Sequence, residues 1–155
     1  MEKRPPYRSY AAITGVCGLG LVGAGALGRR RDSTPACQTT LDLAVLSLAS
    51  FKAARTLAKD RVTSFVREPF VEGDAHQGAD EHPVQGGGME QALGELVTCS
   101  RCVGTWAAAG LAVSQILAPR TGRLLTWSLA AAGANDCLQA AFAALTARER
   151  KLAES

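Results

Sequence analysis

The sequence predicts an all-α, multi-pass membrane protein of three or four helices ending in an antiparallel helix hairpin, and three observations carry that expectation. Charged residues gather in blocks, leaving Tyr10–Gly28 and Cys102–Pro119 with none and Leu124–Ala147 with Asp136 alone. These runs meet or approach the roughly 20 apolar residues that a helix needs to cross a bilayer. They also lack the polar face that recurs every 3.6 residues in a soluble bundle. Finally, Lys and Arg flank the runs: Lys3, Arg4 and Arg8, then Arg29, Arg30 and Arg31, then Arg120 and Arg123, then Arg148, Arg150 and Lys151. Flanking cations fix the orientation of membrane helices. A nucleic-acid binder would instead gather them on one face with stacking aromatics. With 5% aromatic residues and no such face, nucleic acid is discounted as a partner despite a net charge of +3.

Taken in order, the first run opens a segment (1–34) built as one membrane helix with basic flanks. Its nominal GxGxxG at Gly18, Gly20 and Gly23 has no strand before it and no room for a βαβ unit, so these glycines read as helix-packing positions. A basic start, an apolar middle and Ala24-Gly25-Ala26 also fit a signal peptide. Cleavage there would open the mature chain on Arg29, Arg30 and Arg31, and an uncleaved helix is expected. The remaining membrane domain, 35–150, begins with Thr34 as N-cap and Pro35 at the first helical position. That helix should run to about Lys59, apolar at first apart from Asp42, then amphipathic with Lys52, Arg55, Thr56 and Lys59 on one face. It suits a span with Lys52 and Arg55 snorkelling, or a position along the interface.

From Glu68 to Glu95 the chain holds seven of its fourteen acidic residues and no Lys or Arg. No apolar period runs from Gly73 to Gly88, so 71–90 reads as a flexible acidic loop. Two membrane helices follow, about Val103 to Leu117 and Leu124 to Ala147, joined by a tight turn at 119–123.

Three groups of residues have chemical potential. Cys99 and Cys102 form a CxxC, which supplies half a zinc site, a redox pair, or thiols packed at a helix mouth. His76 and His82 would complete a two-Cys, two-His zinc set, and Arg101 beside Cys102 is placed to favour a thiolate. Cys17, Cys37 and Cys137 read as small apolar fillers or boundary residues. Asp136, next to Asn135, stands in the middle of an apolar run, where a charge is costly and usually faces protein or water. Lys52 and Arg55 are its candidate partners, in a helix-to-helix contact or an ion relay. The third group is Asp60, Thr63, Arg67, Glu68, Pro69 and Phe70. Pro69 should end the helix before it, either setting Phe70 on the membrane surface with Arg67 near headgroups or capping the helix with solvated charges. No Ser/His/Asp or paired-acid constellation accompanies them. The expected function is therefore non-enzymatic: a scaffold in the lipid bilayer, meeting a protein partner at the acidic loop. A metal-binding or thiol-active protein centred on Cys99 and Cys102, or an oligomeric ion pathway through Asp136, are the alternatives.

Three blocks, "LASFKAARTLAKDRVTSFVREPF" (48–70), "LGELVTCSRCVGTWAA" (93–108) and "LAAAGAN" (129–135), occur in this order. Together they resemble the bacterial family catalogued as domain of unknown function 1360, over about residues 41–147. The first block carries Asp60, Val62, Thr63, Arg67, Pro69 and Phe70; the second carries Gly94, Glu95, Leu96, Cys99, Cys102, Gly104 and Trp106. The family usually has Arg at Lys52 and an aromatic at Arg101, and Arg and Lys are not equivalent at a bidentate site. The resemblance implies a small membrane protein of the bacterial cytoplasmic membrane, with no established activity.

Counting basic residues orients the chain. With three spans, five Lys and Arg lie on one side and twelve on the side of the loop. With four, the loop side has ten, plus the snorkelling Lys52 and Arg55, against five. Both counts put the loop, the CxxC and the C-terminus in the cytosol; only the N-terminus changes sides. Facing a reducing compartment, Cys99 and Cys102 are not expected to hold a stable disulfide.

Overall fold

The computed structural model describes residues 6–30, 39–73, 81–86 and 88–153, and it is all-α apart from one pair of two-residue strands. Its elements are α1 (Tyr7–Arg30), α2 (Thr40–Lys59), α3 (Ser64–Arg67), β1 (Val71–Glu72), β2 (His82–Pro83), α4 (Met89–Thr98), α5 (Ser100–Leu117) and α6 (Pro119–Ala153). Single 3-10 turns at Arg61–Thr63 and Glu68–Phe70 flank α3.

Among the described residues, α1 is the one helix that alone is long and apolar enough to cross a membrane. The α4–α5 pair qualifies only when taken as one span, and the two helices meet at 88°. The sequence predicts no helix at 89–98; α4 begins at the end of the expected 71–90 loop and runs eight residues beyond it.

The start of α2 differs from expectation. Thr34, Pro35 and Cys37 lie outside the described residues, and the N-cap is Thr39. Its hydroxyl accepts from Asp42 N at 3.2 Å, while Asp42 Oδ2 accepts from Thr39 N at 3.0 Å. This reciprocal cap satisfies two backbone donors that a helix start leaves bare. Asp42 is thus a capping residue in an otherwise apolar first half. The 119–123 turn also differs: one residue, Ala118, separates α5 from α6, and Pro119 opens α6. Proline fits a first turn because its missing N–H has no partner to lose there.

Four helices form the bundle. Val45 and Ala49 of α2 meet Leu111 of α5 and Ala130 of α6, and Ala54 and Ala58 meet Val103. Higher-numbered residues of α2 therefore meet lower-numbered residues of α5, so these helices are antiparallel. In contrast, α2 and α6 run parallel: Leu48 O lies against Gly133, and one turn on Lys52 reaches Asp136. Likewise α1 runs parallel to α5, with Gly28 on Ile116 at one end and Tyr10 donating to Glu95 of α4 at the other. One pole thus collects the start of α1, the end of α2, the strand pair and the start of α5. The opposite pole holds Gly28 and the Ala118 connection.

Small residues let the helices approach. A Cβ on Gly133 would lie 2.7 Å from Leu48 O, and one on Gly122 2.5 Å from Ser114 C. A Cβ on Gly28 would meet Ile116 Cγ2 at 2.6 Å. By contrast, Gly18, Gly20 and Gly23 meet nothing within 4 Å, so within this chain they are not packing positions. Thr126 Oγ1, fully inside, donates to Gly122 O and accepts from Gln115 Nε2, stitching α5 to α6.

Candidate functional site

The residues Asp60, Thr63 and Arg67 converge on the C-terminal end of α2. A helix leaves its last carbonyls without partners, and Arg67 supplies them. Its Nη1 donates to Leu57 O at 2.8 Å, Asp60 O at 3.1 Å and Thr63 Oγ1 at 3.0 Å. The Thr63 hydroxyl in turn donates to Thr56 O and to Asp60 O. The other edge of the guanidinium meets Glu81 in a fork, Nε to Oε2 and Nη2 to Oε1, each 2.9 Å. Both side chains are 0% exposed.

Arg67 is buried rather than solvated, its guanidinium taken up by the end of α2 and by Glu81. Phe70 is half-buried, with its carbonyl accepting from Val84 N at 3.1 Å and lying directly against Gly94. Pro69 does not end helical geometry ahead of itself, since Glu68 keeps φ −45° and ψ −41°. It sits instead in the first turn of the Glu68–Phe70 3-10 turn, where no N–H is required of it.

The base of the acidic loop is ordered. Val71 pairs with Pro83 and Glu72 with His82, antiparallel. Gly94 seats α4 on this hairpin, because a Cβ there would collide with Phe70 O and sit 3.2 Å from Pro83 Cβ. Glu95 accepts from Gln91 at 2.9 Å and from Tyr10, tying α4 to α1. The two best-defined sequence blocks, 48–70 and 93–108, therefore meet across the loop base. Glu81 completes the joint, and sequence reasoning missed it. A buried arginine requires a carboxylate, but seven acids lie between 68 and 95 alone and spacing does not single one out. The Glu95–Tyr10 link was missed for the same reason.

Cys99 occupies the 88° corner between α4 and α5. It is the N-cap of α5, with Sγ accepting from Cys102 N at 3.4 Å. The hydrogen bonds from the Cys102 thiol and backbone N–H, with smaller help from Arg101, hold the Cys99 thiol below its ordinary pKa. Donating that hydrogen bond raises Cys102. Cys99 is half-buried and Cys102 exposed, and both are free thiols, as are Cys17 and Cys137. Cys137 is exposed and fills no gap.

Among the described residues no three His, Cys, Asp or Glu gather as a metal-binding group. His82 is exposed in β2, and His76 lies outside the described residues. The two-Cys, two-His zinc set is therefore not assembled among the described residues. Lys52 Nζ and Asp136 Oδ2 are 2.9 Å apart, joining α2 to α6. Arg55 is exposed and lies over the Phe51 ring at 6.0 Å, so it is not the partner of Asp136. Trp106 is half-buried in α5.

The fold and this joint define a small helical protein built on a motif-stapled bundle. The chain belongs to the family described as "Protein of unknown function (DUF1360)", which matches residues 45–142. It is similar to the "Sporulation protein YjcA" of Bacillus subtilis (strain 168), 34% identical over 60% of this chain and 83% of the relative. It is also similar to the "UPF0713 protein YngL" of the same organism, 28% identical over 65% of this chain and 78% of the relative. No solved structure matches it significantly.

Proposed function

We propose that the chain is a multi-pass integral membrane protein that acts as a scaffold, offering its stapled acidic loop to a protein partner in the cytosol. The observation that carries this reading is the inversion of the bundle. Large apolar side chains point outward: Val16 71%, Leu19 76%, Leu124 70%, Leu138 70% and Phe142 70% exposed. The interior is lined mostly by small residues, Ala49, Ala54, Ala58, Ala130, Gly122, Gly133 and Thr126, with Val45, Val103 and Leu111 the larger apolar residues among them. In water such a surface is penalised by about 25 cal/mol for each Å² left exposed. Lipid tails are as apolar as the side chains, and membrane helices associate through small residues of this kind.

The bundle supports the four-span version of the topology. The start of α1 shares a pole with the loop base and the CxxC, and the ten-against-five basic count favours this pole as cytosolic. In that reading the apolar part of α5 is Val103–Leu117, so both CxxC thiols precede it. The engagement of α1 with Ile116 and Glu95 supports its retention as part of the fold. Pairing of Asp136 with Lys52 supports a helix-to-helix contact over an ion relay. The fork between Arg67 and Glu81 holds the ends of the 74–80 segment in place, and that segment carries Asp74, His76 and Asp80 for a partner to read. The name of one relative directs the partner search toward spore formation.

Two measurements test the proposal. Alkaline carbonate washing of membranes should leave the protein in the pellet; release into the supernatant would end the membrane reading. Co-purification from detergent should lose a specific partner when residues 74–80 are replaced by a Gly-Ser linker, which spares Glu81. An unchanged set of bound proteins would remove the loop from the interaction.

A further inference from the structure

We propose that Cys99 and Cys102 are a thiol–disulfide exchange pair, with Cys99 as the attacking thiol and Cys102 as the resolving one, acting on a disulfide-bearing polypeptide. The motif is the one sequence-level constellation that the scaffold role does not use. Four observations place it as a site. The 88° corner between α4 and α5 frees the first turn of α5, so Cys99 is not covered by a preceding coaxial helix. Cys99 Sγ is the capping group of that turn and accepts the Cys102 N–H at 3.4 Å. Anionic sulfur is stabilised at such a helix start. Cys102 sits three residues on, its thiol hydrogen-bonded to Cys99 and so within reach of a mixed disulfide formed there. Beside the pair, a groove of about 320 Å³ runs between α2 and α5, lined by Ser47, Ser50, Phe51, Arg55, Ser100 and Arg101 among others. Two of those residues are the intervening pair of the CxxC itself. Among the described residues no acidic side chain lines the groove, and its Ser100–Arg101 end lies before the apolar Val103–Leu117 stretch, where a polypeptide in water can enter.

The asymmetry between the thiols assigns the roles. Cys99 is lowered by hydrogen bonds it receives, and Cys102 is raised by the one it gives. As pH rises the thiolate therefore forms first at Cys99. Its Sγ attacks one sulfur of the substrate disulfide. A mixed disulfide forms, the substrate S–S bond breaks, and the second substrate sulfur leaves as a thiolate that takes up a proton. Cys102 then loses its proton and attacks Cys99 Sγ, displacing the first substrate sulfur, which is protonated in turn. The chain ends with a Cys99–Cys102 disulfide and the substrate as a dithiol, two electrons having passed to the substrate. The reverse sequence oxidises a substrate dithiol with the same atoms.

The test uses the full chain purified in detergent. In the wild type, iodoacetamide labelling across pH 5–9, read peptide by peptide, should modify Cys99 about threefold or more faster than Cys102 near pH 7. The rate at Cys99 should also reach its plateau at lower pH than the rate at Cys102. In glutathione buffers of graded ratio, an internal Cys99–Cys102 disulfide should appear. Cys102→Ser should accumulate glutathione on Cys99, whereas Cys99→Ser should accumulate little on Cys102. Equal labelling of the two thiols, or no internal disulfide at any glutathione ratio, overturns the proposal. The wild-type labelling needs no variant, so a substitution that misfolds does not remove the test.

Discussion

At the scale of single residues, the joint between Arg67 and Glu81 ties the loop base to the end of α2. Two charges fully withdrawn from solvent are tolerable only because each carries geometry that satisfies the other. Glu81→Ala should therefore cost about 3–5 kcal/mol, since it strands a buried guanidinium. Arg67→Lys should also be severe, because one ammonium cannot hold a forked carboxylate and three helix-end oxygens together. Replacing both partners by apolar residues, as in Arg67→Met with Glu81→Leu, should recover part of the loss. Thermal unfolding of the four proteins in detergent checks the ranking; a double variant worse than either single would refute the pairing as the source of stability. The motif residues Asp60, Thr63 and Arg67 were legible in the sequence as a group, but their role was not. Their partners are backbone carbonyls of α2 and one of several downstream acids, and neither leaves a spacing signal.

At the scale of elements, the helices legible in the sequence were those with uniform apolar runs: α1, the body of α5 and the middle of α6. A helix surrounded by one apolar environment shows an unbroken apolar run rather than a period, and such runs are easily read. The elements that were missed have mixed composition. Short α4 carries Glu90, Gln91 and Glu95 among its apolar residues and so shows no uniform apolar run. The α2 start was displaced because Thr34-Pro35 is a good local start signal, whereas Thr39-x-x-Asp42 is a better one with reciprocal bonds. Thr39→Ala should cost about 1 kcal/mol, read as a lower unfolding temperature. Gly133→Val should be worse, by about 1–3 kcal/mol, because the added carbons press on the Leu48 carbonyl, which lies in backbone and cannot swing aside. Gly18→Val, on an open face of α1, is the matched control and should leave the isolated chain's unfolding unchanged.

At the scale of the whole molecule, the parallel pairing of α1 with α5 and of α2 with α6 brings three polar features to one pole: the start of α1, the strand pair and the CxxC. In the proposed topology that pole is cytosolic. A membrane-impermeant maleimide applied to cells stripped of their outer layers should leave Cys99 and Cys102 unlabelled until the membrane is permeabilised. Labelling in intact cells would reverse the orientation. The interior of small side chains has a consequence for how this sequence can vary over time. In a water-filled setting the outer face drifts freely in polarity and the core drifts in shape. In the proposed membrane setting the permissions are exchanged: Leu19, Leu124, Leu138 and Phe142 can trade places with any greasy residue of any size, but not with a charge. Gly122, Gly133, Ala49 and Ala58 are instead restricted by volume, almost regardless of polarity. A saturation library selected for abundance in the membrane should show these two opposed tolerance profiles, interleaved every three or four positions along α2 and α6.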